Sequence, residues 1–357
     1  MYLYAIVFLL SAVLTILFTP PARRLALRLG AIDRPSKRKI HKKIISRFGG
    51  LSLFLSFVVS MAAGLILARQ FGVNISEKDV TTLFGVIFGG GVIVLLGLFD
   101  DLKGMPPAVK LAGQIVASGV AVYFGAQIIF VSTPFSKLMM LGAVAPLVTI
   151  IWMVAITNAM NLIDGLDGLA AGIAVISGIA LFIVAIRTGQ TDSALLLAAL
   201  TGASMGFLRY NFFPATIFLG DSGSLFLGFM LASASVVGVL KSTLLIALIV
   251  PIAVLGIPIY DTAAAIIRRA VSGRPIFEAD KKHIHHRLLK AGFNQREVVM
   301  IIYFACVILS AAALAATAFD NYPALILLSV FVVLGILALD MAKNLLRNLA
   351  FLNGRSK

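Results

Sequence analysis

The sequence predicts an all-α polytopic membrane protein with about eleven transmembrane helices, N-terminus outside and C-terminus cytoplasmic. Three observations carry this. A mean hydropathy of +1.04, with 60% hydrophobic and only 13% charged residues, is that of a membrane protein and excludes an ordinary soluble domain. Apolar runs of roughly 20 residues, the length a helix needs to cross a bilayer, recur along the chain. Lys and Arg divide unevenly between alternate loops. Twenty-five fall on one side and five (Arg69, Lys78, Lys137, Arg187 and Lys241) on the other, which makes the rich side cytoplasmic.

The spans fall near residues 3–19, 50–68, 82–99, 110–130, 142–156, 169–186, 193–208, 219–240, 243–259, 300–319 and 324–341. Residues 1–341 thus read as one transmembrane domain and 342–357 as a basic cytoplasmic tail. The first run has no basic segment ahead of it, and residues 19–21 make a poor cleavage site, so it reads as a retained span. The net charge of +15 reflects the loop asymmetry and attraction to anionic lipids or substrates, and makes no case for nucleic acid. Cys306 is the single cysteine and sits mid-span, so no intrachain disulfide is possible and a buried thiol is expected.

Acids and amides gather in the basic loops and leave the span centres nearly free of charge. The densest stretch is TNAMNLIDGLDGLAA at 157–171, where Asn158, Asn161, Asp164 and Asp167 recur every third residue. On a helix this spacing lines one side, and Gly165 and Gly168 turn the second half into a loop that brings backbone close to a ligand. Carboxylates beside hydrocarbon are costly and point to function. Oxygen-only donors suit Mg²⁺, with Mn²⁺ as its substitute; a solvated loop with a helix cap is the plainer alternative.

The other loops add to this set. FDDLKGMPPAVK at 99–110 ends the third span with Asp100 and Asp101, adjacent carboxylates that can split the roles of holding a cation and accepting a proton. RYNFFPATIFLGDSGS at 209–224 places Asp221 at a helix start, as an N-cap or as a metal ligand beside N–H groups that favour phosphate. Asn211 and Phe218 lie within reach, and Phe218 offers either a face for a base or ordinary packing. In the first loop His41 and Lys42 are candidates for contacting an anionic substrate, while the remaining basic residues set topology. In the last large loop a short helix over 279–291 puts His283, His286 and Arg287 on one face, with His285 pointing elsewhere. No Cys accompanies these histidines, so a clamp for diphosphate, with Arg287 as its planar fork, fits better than zinc.

Neither G-x-x-x-x-G-K-[ST] nor G-x-G-x-x-G occurs, so a P-loop ATPase is not supported. Two classes remain: an enzyme joining a soluble phosphorylated donor to a lipid acceptor, and a transporter of an ion or anion. Transporters place polar groups near the midplane on broken helices, so acids gathered at one membrane face favour the enzyme.

Four ordered motifs, DDLKGM at 100–105, NAMNLIDGLDGLAAG at 158–172, NFFPATIFLGDSGSLFLG at 211–228 and HIHHRL at 283–288, resemble those of the polyprenyl-phosphate N-acetylhexosamine-1-phosphate transferases. The resemblance runs from Asp33 to about Val299. HIHHRL and PSKRKIH (35–41) are similar to the bacterial undecaprenyl-phosphate GlcNAc-1-phosphate transferases, whereas the related phospho-MurNAc-pentapeptide transferases carry three consecutive histidines. The resemblance implies Mg²⁺-dependent transfer of GlcNAc-1-phosphate from UDP-GlcNAc to undecaprenyl phosphate, giving GlcNAc-diphosphoryl-undecaprenol and UMP. This would be the first membrane step of a cell-envelope glycan such as lipopolysaccharide or teichoic acid, at the cytoplasmic face of the bacterial inner membrane, in a chain able to form a homodimer. It implies Asp221 as principal metal ligand with Asn161 or Asp164 nearby, catalytic roles for Asp100, Asp101 and Asp164, and uridine contacts from Asn211, Phe218 and Asp167. His283, His285, His286 and Arg287 would grip diphosphate or sugar, with Asn158, His41 and Lys42 also at the substrate. Direct attack by the lipid phosphate and a two-step route through a phosphorylated Asp both fit. A MurNAc-pentapeptide donor and a transporter are the alternatives.

Overall fold

The computed structural model describes residues 1–35, 44–133, 136–238, 249–273 and 283–319. His41 and Lys42, the expected span at 324–341 and the basic tail lie outside the described residues. The helices are α1 Tyr2–Leu29, α2 Gly49–Gln70, α3 Glu77–Lys103, α4 Pro107–Tyr123, α5 Ala145–Ile163, α6 Leu169–Arg187, α7 Thr191–Asn211, α8 Gly220–Val237, α9 Ile249–Val254, α10 Gly256–Val271, α11 Ile284–Lys290 and α12 Gln295–Phe319. Two antiparallel ribbons, β1 Ile32–Asp33 with β2 Ile45–Ser46 and β3 Phe130–Thr133 with β4 Ser136–Met140, join helix ends.

Among the described residues eight helices are long and apolar enough to cross a membrane: α1, α2, α3, α5, α6, α7, α8 and α12. The bundle is an all-α polytopic membrane protein. Helix α8 is its axis, packed by α2, α3, α5, α6 and α7 and 89% buried over its apolar window, whereas α1 is 28% buried and turns Leu9, Val13 and Leu17 outward. Outward apolar side chains of this kind are what a helix facing lipid presents.

Helices α1, α3 and α5 run past their expected ends, to Leu29, Lys103 and Ile163, and three other boundaries change the path of the chain. The fourth span ends at Tyr123 rather than 130, because Gly125 at φ +105 closes it. Gly125 N–H donates to Val122 O and Ala126 N–H to Ala121 O, both at 3.0 Å, a Schellman end. The apolar run then continues as β3, and α4 spans only about 25 Å against roughly 30 Å of hydrocarbon. The expected span at 243–259 divides at Leu255 into α9 and α10, and α10 runs on to Val271. Pro258 lacks the N–H that would bond Val254 O, and the Ser177 hydroxyl donates to that carbonyl instead, at 3.2 Å. The expected helix over 279–291 begins at Ile284 among the described residues.

The same device stabilises α1. Pro20, inside the helix, frees the Ile16 carbonyl, and the Tyr210 hydroxyl donates to it at 3.2 Å. Helices α1 and α7 approach closely along a second seam. A β-carbon on Gly202 would collide with the Phe8 carbonyl oxygen and one on Gly206 with that of Ala12, a small-x-x-x-small contact. Gly119, on α4, faces open space. Gly202→Val therefore lowers stability by about 1–3 kcal/mol through overpacking, while Gly119→Ala leaves the midpoint unchanged or slightly raised. Thermal unfolding of both variants in detergent checks this; equal midpoints would refute the α1–α7 seam.

Candidate active site

Eight helix ends meet at one end of the bundle: the C-termini of α1, α3, α5 and α7 and the N-termini of α2, α4, α6 and α8. A cavity of about 1090 Å³ opens among them, lined by Arg23, Asp33, Arg47, Asp101, Asp164, Asp167, Asn211, Phe213, Phe218, Asp221 and His286, with several apolar and small residues.

The start of α8 fixes the centre. Asp101, 8% exposed, reaches across from α3 and accepts the N–H of Asp221 at 2.8 Å, the N–H of Ser222 at 3.1 Å and the Ser222 hydroxyl at 2.8 Å. It caps α8 from another helix. Gly220 precedes it at φ +69, and a β-carbon there would strike the Arg47 carbonyl oxygen and the Asp101 carboxylate, so only glycine fits. The approach to α8 runs alongside the approach to α2. Phe218 N–H donates to Ser46 O at 2.8 Å, Gly49 N–H to Phe218 O and Gly50 N–H to Leu219 O, both at 3.0 Å. This pairing sets Phe218 in the cavity wall.

Asp221 is then held from two more sides. Asn161, on the last turn of α5, donates from Nδ2 to Asp221 Oδ1 at 3.1 Å and to Ser224 Oγ at 2.8 Å. The Lys110 ammonium, 18% exposed, lies 2.5 Å from Asp100 Oδ2 and also contacts Asp221 Oδ2. Sequence reading counted Lys110 only as a topological charge; its place just after the DDLKGMPP turn was the available signal. Asn158 sits one turn deeper on α5, outside the cavity lining, in an amide pair with Gln114: Asn158 Nδ2 to Gln114 Oε1 is 2.5 Å and Gln114 Nε2 to Asn158 Oδ1 is 3.3 Å.

The glycine-broken half of the 157–171 stretch is the expected loop. Asp167 accepts Ala215 N–H at 2.9 Å, and Gly168, at φ +78, donates its N–H to Asn211 Oδ1 at 3.1 Å. Asn211 is buried, and its Nδ2 donates to Ile217 O at 3.0 Å, so its amide ties the two loops together. Asp164 faces the cavity beside them. Burial foremost, then the charges of Asp221, Asp101 and Asp167, hold its carboxyl well above the usual carboxylate range.

The histidines are set by Asp261, to which the sequence analysis assigns no role. Asp261, 2% exposed in α10, accepts Ile284 N–H at 2.8 Å and lies 2.7 Å from His283 Nδ1. His283 is therefore the extended N-cap of α11 and not part of its first turn, so helical spacing does not govern the motif. His285 does not point away from the other two. Its ring is parallel to that of His283 at 5.8 Å and tilted against that of His286 at 4.2 Å, and it covers the open face of Gly165. Burial, then the charge of His286, pushes His285 down to about 3, so it is neutral. His286 reaches the cavity lining, while His283, His285 and half-buried Arg287 lie behind it. Among the described residues there is no group of three His, Cys, Asp or Glu set for a metal.

Residues 83–239 match the family described as Glycosyl transferase family 4. A Bacillus subtilis protein described as a probable undecaprenyl-phosphate N-acetylglucosaminyl 1-phosphate transferase is 39% identical over 87% of this chain and 84% of its own. The Mycobacterium tuberculosis decaprenyl-phosphate N-acetylglucosaminephosphotransferase is 36% identical over 94% of this chain and 88% of its own. The Escherichia coli undecaprenyl-phosphate alpha-N-acetylglucosaminyl 1-phosphate transferase is 28% identical over 89% and 85%. The matched region contains Asp100, Asp101, Lys110, Asn161, Asp164 and Asp221, the residues that converge at the start of α8. On this agreement of sequence with site, the chain belongs to glycosyl transferase family 4, the polyprenyl-phosphate N-acetylhexosamine-1-phosphate transferases that its four motifs resemble.

Proposed function

We propose that the protein transfers GlcNAc-1-phosphate from UDP-GlcNAc to undecaprenyl phosphate, releasing UMP, at the cytoplasmic face of a bacterial membrane. The observation that carries this is the convergence of Asp101, Asp164, Asp167 and Asp221 on one cavity at one end of a membrane bundle, with Asp100 joined to Asp221 through Lys110, in a chain 39% identical to a relative of that description. The excess of Lys and Arg in the loops at that end supports a cytoplasmic site and an outside N-terminus.

The donor set fits Mg²⁺. Asp100 and Asp221 face one another across a cation, the Lys110 ammonium, and Asn161 adds an amide beside them. Mg²⁺ keeps several waters and is held by one or two carboxylates plus substrate phosphates, so a three-carboxylate cage is not required. Asp221, Asp100 and Asn161 would hold it, and when bound it would offset charge on the departing UMP.

The chain's own residues do the rest. Phe218 gives the cavity a flat aromatic wall for a base, and Asp167 and Asn211 fix the loops that face it. Arg23 and Arg47 line the cavity, with Arg47 held by Asp33 at 2.7 Å, and His286 enters from the far side, where each can meet phosphate oxygens. A phosphate monoester has its second pKa at about 6, so little proton removal is needed and positioning dominates. Asp101, committed to capping α8, acts by holding Asp221.

Purified protein given UDP-GlcNAc, undecaprenyl phosphate and Mg²⁺ in detergent should release UMP only when lipid and metal are both present, and EDTA should abolish release. Release from UDP-MurNAc-pentapeptide alone would move the protein to the sister activity, and silence with every donor would refute the reading. Asp221→Asn should cut turnover on the order of a hundredfold or more without unfolding the chain.

Asp164→Asn should separate function from stability. The carboxyl's raised pKa means the folded metal-free chain binds its proton more tightly than the unfolded chain, so ionisation opposes folding increasingly above about pH 4. The variant should therefore match wild-type stability in acid, exceed it progressively as pH rises, and lose turnover by roughly a hundredfold. Thermal midpoints across pH without metal provide the check, and a gain confined to acid would contradict it.

A further inference from the structure

The Lys110 ammonium stands on the oxygens that a divalent cation would use. It lies 2.5 Å from Asp100 Oδ2 and contacts Asp221 Oδ2, joining α3, α4 and α8 at one point. A hard cation bridging the two carboxylates would draw on those same oxygens, and two cations at contact distance from them repel one another. The charge rides on a flexible four-carbon stem and can leave with no backbone movement. Asp221 keeps the Asn161 N–H on its other oxygen and its own N–H on Asp101, so its position does not depend on the lysine.

We propose that Lys110 is the resident counter-ion of this centre: its ammonium holds Asp100 and Asp221 together until a divalent cation enters, and the incoming ion expels it toward the phosphates of the substrate. The inference rests on the metal reading above. Its consequence is that the carboxylate pair has a counter-charge at every stage, a single one from the lysine and then a double one from the metal. The displaced positive charge becomes available when an anionic substrate arrives, so Lys110 acts as a positioning residue before the metal binds and as a phosphate contact afterwards.

The test uses the full-length chain in detergent with Mn²⁺ as probe, bound ion being measured by the loss of its free paramagnetic signal. Lys110→Met should bind Mn²⁺ about tenfold or more tightly than wild type, because no resident cation has to be displaced. In the wild-type chain, labelling of Lys110 by an amine-directed reagent, read by mass spectrometry, should rise severalfold when Mn²⁺ is added. Equal or weaker Mn²⁺ binding by the variant overturns the proposal. Tighter binding with unchanged labelling also overturns it, since Lys110 would then be only a repelling neighbour. Should Lys110→Met fail to fold, the wild-type labelling decides alone. A wild-type chain that binds no Mn²⁺ refutes the metal reading itself, an outcome distinct from the other two.

Discussion

The contact between Asp101 and the first turn of α8 is the one on which the site depends. A helix buried on every side leaves its first N–H groups without water, and each unmet group costs about 1–3 kcal/mol. Asp101 meets two of them and the Ser222 hydroxyl with one carboxylate brought from α3. The contact does more than satisfy a helix end. It fixes where α8 begins, hence where Asp221 projects, and it requires that Gly220 carry no side chain. Asp100, the preceding residue, turns to Lys110. One pair of adjacent acids thus caps a helix and builds the charged centre beside it.

The membrane sets the terms for the remainder of the fold. Backbone groups in lipid have no solvent partner, so each irregularity has to be met by another helix. Pro20 and Pro258 each free a carbonyl, and the hydroxyls of Tyr210 and Ser177 meet them. Close approach supplies attraction that the hydrophobic effect does not provide between helices in lipid. At the cavity end the same small residues serve function: Gly50 and Gly97 let α2 and α3 lie directly on the Ser222–Gly223 backbone, which leaves no slack around Asp221.

Much of this was legible in the sequence, and the parts that were not share a cause. Hydropathy gave eight spans that the described residues bear out, because burial in lipid is written in each segment by itself. The Asn158–Asp167 spacing gave a helix followed by a glycine loop, because both are local preferences. Lys110 was not legible as a site residue, since a lysine after a helix turn looks the same whether it faces solvent or two carboxylates brought from α3 and α8. Asp261 escaped for the same reason: its partners are 22 and 23 residues away on α11. His285 was misplaced because the i, i+3, i+4 rule assumes that His283 lies inside the helix, and Asp261 instead draws it into the cap. Gly125 was visible as a residue, but its positive φ depends on a chain reversal that composition does not announce.

The charge arrangement carries the final argument. Five aspartates line a cavity that Arg23, Arg47 and His286 also line. Burial, and then the neighbouring acids, raise the carboxyl of Asp164, and such an arrangement persists only where the surrounding structure over-determines it. A cavity selected for stability alone would carry amides or apolar residues at these places. On the proposed reading, a diphosphate entering it would meet attraction from the arginines and repulsion from the aspartates, which a cation between carboxylate and phosphate would offset. What the fold itself supplies is a fixed position for Asp221, held by the cap on α8 and by Asn161, among charges of both signs.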